Sequence, residues 1–280
     1  MHAHASAVQA VRDFLEGPLT RPVLMQWRRR RFLAQEGFGS YFGLFDSFAA
    51  AREWLPRNPG FHLGALAAEY IDIRTRQVFE YDYPVMWWLE RAFDAGARGI
   101  LDIGGSVGVH YYAYRSYIDM PQALAWHVAE VPVMVAIGRK IAAERGAGSA
   151  LSFTADLQEA LAMHGIDIWI AAGALQYMED ARPAQLLRRC AEMPAHMLLN
   201  RVPLYEGDDY VTAQNIGKGC FAPVQVLNRG RFIHGIEALG YTLEDHWQVH
   251  ERSLYLPGHP ERSLPSFSGF YFAARARPAR

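Results

Sequence analysis

The sequence predicts an α/β fold in which helices pack on a mostly parallel β-sheet. Short, continuously apolar runs of strand length recur between residues 100 and 200, and segments with helical spacing of apolar residues separate them. The run at residues 100–103 leads into a glycine-rich turn at 104–108 and then into a helix. Parallel sheets use this arrangement to present backbone amides to a nucleotide-like ligand, so we expect a ligand site at the turn.

Composition and charge narrow the possible classes of protein. The 280 residues, 51% of them hydrophobic, can bury one large core or a core with a smaller cap. A formal net charge of −1 predicts no general attraction to nucleic acid or to anionic membranes. Cys190 and Cys220 lack metal-ligand spacing and are too few for a disulfide framework, so we expect free thiols and no metal site. The absence of a long apolar run or a signal pattern favours a soluble, cytoplasmic protein of undetermined oligomeric state.

The first 95 residues are expected to form a helical cover, and residues 96–280 the main domain. The predicted helices of the cover lie at 5–16, 47–55, 62–79 and from Pro84 to Gly96. Asp46 is the expected N-cap of the second helix, and Pro84 suits the first turn of the last one. The arginine run at 28–31 is interpreted as a solvated helix or linker, and the glycine spacing of residues 37–43 predicts a loop.

The main domain alternates strands and helices. The predicted strands lie at 100–103, 125–130, 151–153, 167–172, 196–200, 241–250 and 267–274. The predicted helices lie at 132–144, 157–164, 183–193 and 229–239, in addition to the helix that follows the glycine turn. The last two strands alternate apolar and polar residues, which predicts an antiparallel hairpin.

Asp102, the residue before the turn, determines which ligand we expect there. A dinucleotide fingerprint would place a glycine where Ile103 stands, and no phosphate-binding loop with a lysine is present. A carboxylate at the end of the strand would repel a pyrophosphate but favour a ligand that carries an ammonium and a sulfonium group. The turn therefore favours S-adenosylmethionine over NAD or ATP.

The segment from Asp102 to Gly108 resembles the first motif of class I S-adenosylmethionine-dependent methyltransferases, [DE]-x-G-x-G-x-G, with Ser106 in place of the middle glycine. The resemblance implies a seven-stranded, mostly parallel, Rossmann-like sheet with helices on both faces and an N-terminal helical cover. From about residue 37 onward the chain is also similar to a little-characterised methyltransferase family associated with bacterial surface-polysaccharide synthesis.

The expected cofactor site is built around the ends of the first four strands of the sheet. Glu130 follows the second strand, a little over twenty residues after the turn, where an acidic side chain can accept both ribose hydroxyls. The resemblance assigns the adenine to Asp156 and Leu157, and Tyr111 can face a sulfonium through its ring. The full expected set is Asp102, Gly104, Gly105, Ser106, Gly108, Tyr111, Glu130, Val131, Asp156, Leu157, Ala172 and Gly173.

Candidates for the acceptor site follow the turn and the fourth and fifth strands of the sheet. His110 is a candidate general base, or alternatively a hydrogen-bonded bystander. Gln176 stands near the position where related plant-type O-methyltransferases carry a catalytic histidine, and an amide cannot take a proton at neutral pH. The other expected residues are Tyr177 and Arg201, which would act on the acceptor, and Gln214 and Asn215, which would bind it. A structural ion pair is the alternative for Arg201, whose planar fork suits a carboxylate or phosphate on the acceptor.

The sequence therefore predicts methyl transfer from S-adenosylmethionine to an oxygen or nitrogen of a small polar acceptor, such as a sugar or sugar-nucleotide. Two alternatives stay open. One is an NAD-dependent dehydrogenase or epimerase, against which Asp102 and the missing glycine argue. The other is a protein that binds S-adenosylmethionine without turnover, which Ser106 and the absent histidine would suit.

Overall fold

The computed structural model describes residues 20–58, 60–62, 70–179 and 182–275. In chain order the strands are β1 (Tyr41–Phe45), β2 (Gly99–Ile103), β3 (Ala125–Ala129), β4 (Leu151–Thr154), β5 (Ile168–Ala172), β6 (His196–Val202), β7 (Leu204–Tyr205), β8 (Tyr210–Gly217), β9 (Cys220–Asn228), β10 (Tyr241–Val249) and β11 (Phe267–Ala274). The helices are α1 (Arg21–Leu33), α2 (Phe48–Trp54), α3 (Tyr83–Asp94), α4 (Val109–Tyr114), α5 (Pro132–Glu144), α6 (Leu157–Leu161), α7 (Pro183–Leu187) and α8 (Arg229–Glu237).

A seven-stranded sheet in the order β10-β11-β6-β5-β2-β3-β4 forms the centre of the fold. β11 is antiparallel to both of its neighbours, and the other six strands run in one direction. Every residue of β2 and β5 is buried, because strands covered on both faces must be apolar throughout. The predicted α/β fold, its mostly parallel seven-stranded sheet and the closing hairpin are confirmed.

A second sheet in the order β1-β8-β9-β7 was not anticipated from the sequence. The glycine spacing of residues 37–43 predicts a loop, but Tyr41 and Phe42 pair with Gln214 and Ala213 of β8. A strand whose partner lies more than 160 residues away depends on that partner, which local spacing does not reveal. The N-terminal segment thus contributes a strand as well as helices.

The helix boundaries follow the predictions at some ends and depart from them at others. Pro84 lies in the first turn of α3, as predicted. The N-cap of α2 is Ser47 and not Asp46, because the Ser47 hydroxyl accepts a hydrogen bond from the Ala50 amide at 3.1 Å. The arginine run lies on α1, whereas α6 and α7 end earlier than predicted.

The region of the predicted helix at 62–79 is only partly described. Residues Tyr70–Arg74 form a short π-helix, and residues 75–79 are not helical. Residues 63–69 and the predicted helix at 5–16 lie outside the described residues. Among the helices that the structure describes, none is both long and apolar enough to cross a bilayer.

Candidate cofactor and substrate site

A cavity of about 500 Å³ opens at the carboxyl ends of the parallel strands, beneath the second sheet. The main sheet contributes the lining residues Ile103, Gly104, Ser106, Ala129, Glu130, Ala172, Gly173 and Arg201. The second sheet contributes Tyr41, Gln214 and Ile216. A volume of this size is typical of sites for small organic ligands.

The glycine turn forms one wall of this cavity. The Gly104 amide donates to the carbonyl of Ala129 at 2.8 Å, which ties the turn to β3. Ser106 has a φ of +55°, a left-handed conformation that explains why a glycine is usual at this motif position. The Ser106 hydroxyl is buried and has no hydrogen-bond partner among the described residues, so it is available to a ligand.

Asp102 lies behind the turn rather than in the cavity. Its carboxylate is fully buried, and an ideal Cβ on Gly105 would lie 2.4 Å from Asp102 Oδ2. Oδ2 accepts a hydrogen bond from Trp126 Nε1 at 3.2 Å and lies 2.9 Å from Nδ1 of His110. His110 itself lines the cavity, so the carboxylate orients an imidazole that faces the ligand space.

Replacing Asp102 by alanine is expected to lower the free energy of unfolding by about 2–5 kcal/mol, because buried donors on Trp126 and His110 would lose their acceptor. Urea unfolding measures this, with Asp119→Ala as the control because Asp119 is exposed. Asp102→Asn, which keeps the shape and one acceptor oxygen, should lose less. A loss for Asp102→Ala no larger than that of the control would contradict the structural role.

Glu130 projects from the end of β3 into the same cavity. Its carboxylate accepts hydrogen bonds from the Val131 amide at 2.6 Å and from the Ser106 amide at 3.2 Å, which places it beside the turn. Burial raises the pKa of Glu130 to about 6, although these two amides favour the charged form. A carboxylate that is costly to bury without further partners is suited to ligand hydroxyl groups.

The turn that follows β5 carries two of the predicted acceptor residues. Gln176 is only 6% exposed and lines the cavity, and its Oε1 has no partner among the described residues. The Tyr177 hydroxyl donates to Gln214 Oε1 at 2.5 Å, which joins this turn to the second sheet. Gln225 of β9 secures the turn by donating to the carbonyls of Leu175 and Met178 at 3.0 and 2.9 Å.

Arg201 enters the cavity from a bulge in β6. Asn200 and Arg201 together oppose the single residue Gly269, and Arg201 has a φ of +57°. Its guanidinium group donates to the carbonyl of Ala172 and lies 5.2 Å from the centre of the Tyr81 ring. A bulge re-aims a side chain relative to a regular strand, which brings this one over Gly173.

The structure gathers most of the predicted site residues around the cavity and leaves the others outside it. The predicted residues that line it are Gly104, Ser106, His110, Glu130, Val131, Leu157, Ala172, Gly173, Gln176, Tyr177, Arg201 and Gln214. Those that do not line it are Asp102, Gly105, Gly108, Tyr111, Asp156 and Asn215.

The predicted residues outside the cavity make contacts within the protein. Tyr111 packs edge-on against Trp126, and Gly108 is the N-cap of α4. Asp156 Oδ1 caps α6 by accepting hydrogen bonds from its first amides. Asn215 donates to the carbonyls of Phe32 and Ala34 at 2.6 and 2.9 Å, so its amide holds the end of α1.

Tyr41, Arg74 and Arg252 line the cavity and were not predicted. Arg74 is the last residue of the short π-helix Tyr70–Arg74, Tyr41 lies on β1, and Arg252 lies in the connection between β10 and β11. No local motif marks any of the three, because only the packing of distant segments brings them to the same space.

The chain resembles known structures in its fold. No protein-family model and no curated protein matches the sequence. Among solved structures, the mitomycin 7-O-methyltransferase MmcR aligns with 16% identity and a TM-score of 0.43 over 66% of this chain and 52% of that one, so the chain spans about half of its length. The N-terminal domain of EvdMO1 with SAH bound aligns with 16% identity and a TM-score of 0.45 over 78% of this chain and 97% of that one.

Magnesium protoporphyrin IX methyltransferase from Synechocystis PCC 6803 with bound SAH aligns with 15% identity and a TM-score of 0.45, over 69% of this chain and 81% of that one. These three structures, two of which are named methyltransferases, are distant neighbours of the chain in fold. Its activity must be inferred from its own residues.

Proposed function

We propose that the protein transfers a methyl group from S-adenosylmethionine to an oxygen or nitrogen atom of a small polar acceptor. One observation carries the proposal: the backbone of the glycine turn and the carboxylate of Glu130 face the same cavity at the carboxyl edge of the parallel sheet. An acidic side chain at the end of the second strand is placed to accept the hydroxyls of a ribose. Val131 and Leu157 supply apolar surface for the adenine beside it.

The remaining cofactor contacts follow from this placement. Gly104 and Ser106 would hold the methionine part, to which the Ser106 hydroxyl could donate a hydrogen bond. Ala172 and Gly173, at the end of β5, would border the methyl group. Asp156 does not line the cavity and its Oδ1 caps α6, so a contact of this carboxylate with the adenine amino group rests on the resemblance alone.

The chain's own residues orient the acceptor and remove its proton. S-adenosylmethionine, when bound, supplies a methyl group activated by the sulfonium. Gln176, Tyr177 and Gln214 line the same cavity and would orient the acceptor hydroxyl or amine toward the methyl group, which would raise the rate through positioning. His110, whose Nδ1 is held by Asp102, takes the acceptor proton on its other ring nitrogen as general base.

A sugar or sugar-nucleotide acceptor, and with it a role in surface-polysaccharide synthesis, is part of this proposal on the resemblance from residue 37 onward. The amide and hydroxyl groups of Gln176, Tyr177 and Gln214 are suited to an acceptor rich in hydroxyl groups.

Calorimetric titration with S-adenosylmethionine, SAH and NAD tests the cofactor. We expect binding of the first two compounds and none of NAD. Binding of NAD alone would favour a dehydrogenase or epimerase and overturn the proposal. Mass spectrometry of sugars and sugar-nucleotides after incubation with S-adenosylmethionine then tests transfer, because a protein that binds the cofactor without turnover would leave every acceptor unchanged.

The affinity for SAH is expected to rise with pH, with a midpoint near the Glu130 pKa of about 6. Ribose hydroxyls donate to the ionised carboxylate, so below this pH binding must first remove a proton. Between pH 5 and pH 7 the dissociation constant should fall about tenfold, measured by calorimetry. Glu130→Gln should remove this dependence, and an unchanged affinity of the wild type across the range would contradict it.

The unliganded protein should show the opposite trend. The pKa of Glu130 is raised above its ordinary value of 4.5, so the protonated form favours the fold. The stabilisation is complete below pH 4.5 and is lost as the pH rises through about 6. The difference between wild type and Glu130→Gln in urea unfolding from pH 4.5 to 7 isolates this contribution.

A further inference from the structure

We propose that the acceptor carries an anionic group, a carboxylate or a phosphate, and that Arg201 binds it with the help of Arg74 and Arg252. This inference rests on the proposed methyl transfer and specifies the class of acceptor. All three arginines line the cavity.

The position of Arg201 assigns it to the acceptor rather than to the cofactor. The proposed cofactor contacts follow β2, β3, β4 and β5, whereas Arg201 lies on β6, the next strand outward. Tyr41 and Gln214 of the second sheet line the cavity together with it. The group that Arg201 holds should therefore lie on the side of the cavity where the acceptor enters.

Arg201 has hydrogen-bonding capacity that the protein does not use. Its Nε is buried and has no partner among the described residues. Within the described part of the chain, no carboxylate lies within 4.0 Å of the guanidinium of Arg201, Arg74 or Arg252. Because buried donors are almost always satisfied, an acceptor from outside the chain is the expected partner. The planar fork of arginine matches a carboxylate or phosphate.

The acidic groups Asp82, Asp102 and Glu130, which lie in or behind the cavity and its adjoining cleft, already have partners within the protein. In the cleft that adjoins the cavity, Asp82 accepts hydrogen bonds from the Tyr114 hydroxyl and the Phe79 amide, both at 3.0 Å. Arg74 in the same cleft donates to the Tyr81 hydroxyl at 2.6 Å. Asp102 pairs with His110, and Glu130 accepts from the turn.

The backbone around Arg201 is held in a conformation that is costly for a side chain. A left-handed conformation is unfavourable for a residue other than glycine, and such strain concentrates at functional sites. Asn200, which is fully buried, maintains it: its side chain donates to the carbonyl of Tyr81 and accepts from the Arg201 amide at 3.0 Å. Glycine would fit the bulge without strain, so the arginine side chain itself is the feature to explain.

Among the described residues, Gln176 has an unpartnered acceptor oxygen, which complements the unpartnered donor of Arg201. Its side chain is 94% buried, and the unpartnered Oε1 lies in a residue that lines the same cavity. An orphan acceptor on Gln176 and an orphan donor on Arg201 fit one ligand that has both a hydroxyl or amine and an anionic group. The hydroxyl or amine of this ligand would be the methylated group or would lie next to it.

The test uses the full chain saturated with SAH and two probes, inorganic pyrophosphate and malonate, titrated at constant ionic strength. We expect at least one probe to bind at the millimolar level. Arg201→Gln should weaken this binding about tenfold or more, and Arg252→Gln, at an exposed side chain, should weaken it less, while the dissociation constant of SAH changes by less than about twofold. Arg188→Gln, which removes an exposed arginine outside the cavity, should change neither.

Preference for pyrophosphate would identify a phosphate-bearing acceptor, and preference for malonate a carboxylate. The inference is overturned if SAH binds but neither probe does, or if Arg201→Gln and Arg252→Gln leave probe binding unchanged. It is also overturned if Arg201→Gln weakens SAH and not the probe, because Arg201 would then serve the cofactor's own carboxylate. Failure of SAH itself to bind would instead count against the proposed function.

Discussion

Glu130→Ala is expected to weaken the binding of SAH about a hundredfold. The proposed site pairs the Glu130 carboxylate with two ribose hydroxyls, and a hydrogen bond to a charged group contributes about 1.5–3 kcal/mol. Two such bonds amount to about 3 kcal/mol at the lower limit, which corresponds to roughly two powers of ten in the dissociation constant. The substitution also leaves the amides of Ser106 and Val131 without their acceptor. Calorimetry at pH 7.5 measures the effect.

Glu144→Ala is the matched control, because Glu144 is exposed at the end of α5 and forms an ion pair with Lys140 at 3.8 Å, away from the cavity lining. It should bind SAH as the wild type does. Glu130→Gln, which keeps an acceptor oxygen but not the charge, should fall between the two. If Glu130→Ala bound SAH within a few-fold of the control, the ribose would have to be placed elsewhere.

Gly104→Ala is expected to lower the free energy of unfolding by about 2–5 kcal/mol and to abolish SAH binding. Gly104 has a φ of +72°, where a side chain costs about 1–2 kcal/mol. An added Cβ would also lie 2.2 Å from the Cβ of Ala174, and relieving such a clash in a packed site costs about 1–3 kcal/mol more. Because Gly104 and Ala174 both line the cavity, the shift would deform the ligand site itself.

Gly146→Ala separates the two contributions. Gly146 has a similar φ of +65°, but an added Cβ there would meet nothing within 4 Å. This variant should lose only the stability that a side chain costs in a left-handed backbone conformation, and it should bind SAH as the wild type does. Equal losses of stability in the two variants, measured by urea unfolding, would show that the close approach to Ala174 has no energetic effect.

Much of the main domain could be predicted from local patterns. The continuous apolar runs of β2 and β5 mark strands that are buried on both faces, and the glycine turn after β2 marks the ligand edge. Glu130 could be identified because an acidic residue at the next strand end lies near that turn in any parallel sheet. β1 could not be predicted, since it pairs with a strand more than 160 residues away. β8 and β9 pair with each other across Lys218 and Gly219, so their hairpin is local and was missed.

The contacts of Asp102 could not be predicted from the motif. A carboxylate at the end of the strand suggested a direct contact with a cationic ligand. In the folded protein it is fully buried and interacts with Trp126 and His110. The spacing of the motif carries no information on which side of the turn the side chain lies, because that depends on the neighbouring strand and helix.

The sequence by itself determined the order along the chain of the seven strands of the main sheet, the helices between them and the location of a ligand turn, because hydrophobic periodicity and glycine spacing act over a few residues. Only the tertiary structure decided that Tyr41, Arg74 and Arg252 share a cavity with Gln176 and Arg201. Strand pairing between distant segments and the bulge at Arg201 bring these side chains together. The register of the paired strands depends on which face of each sheet is buried, and this burial involves segments that are distant in the sequence.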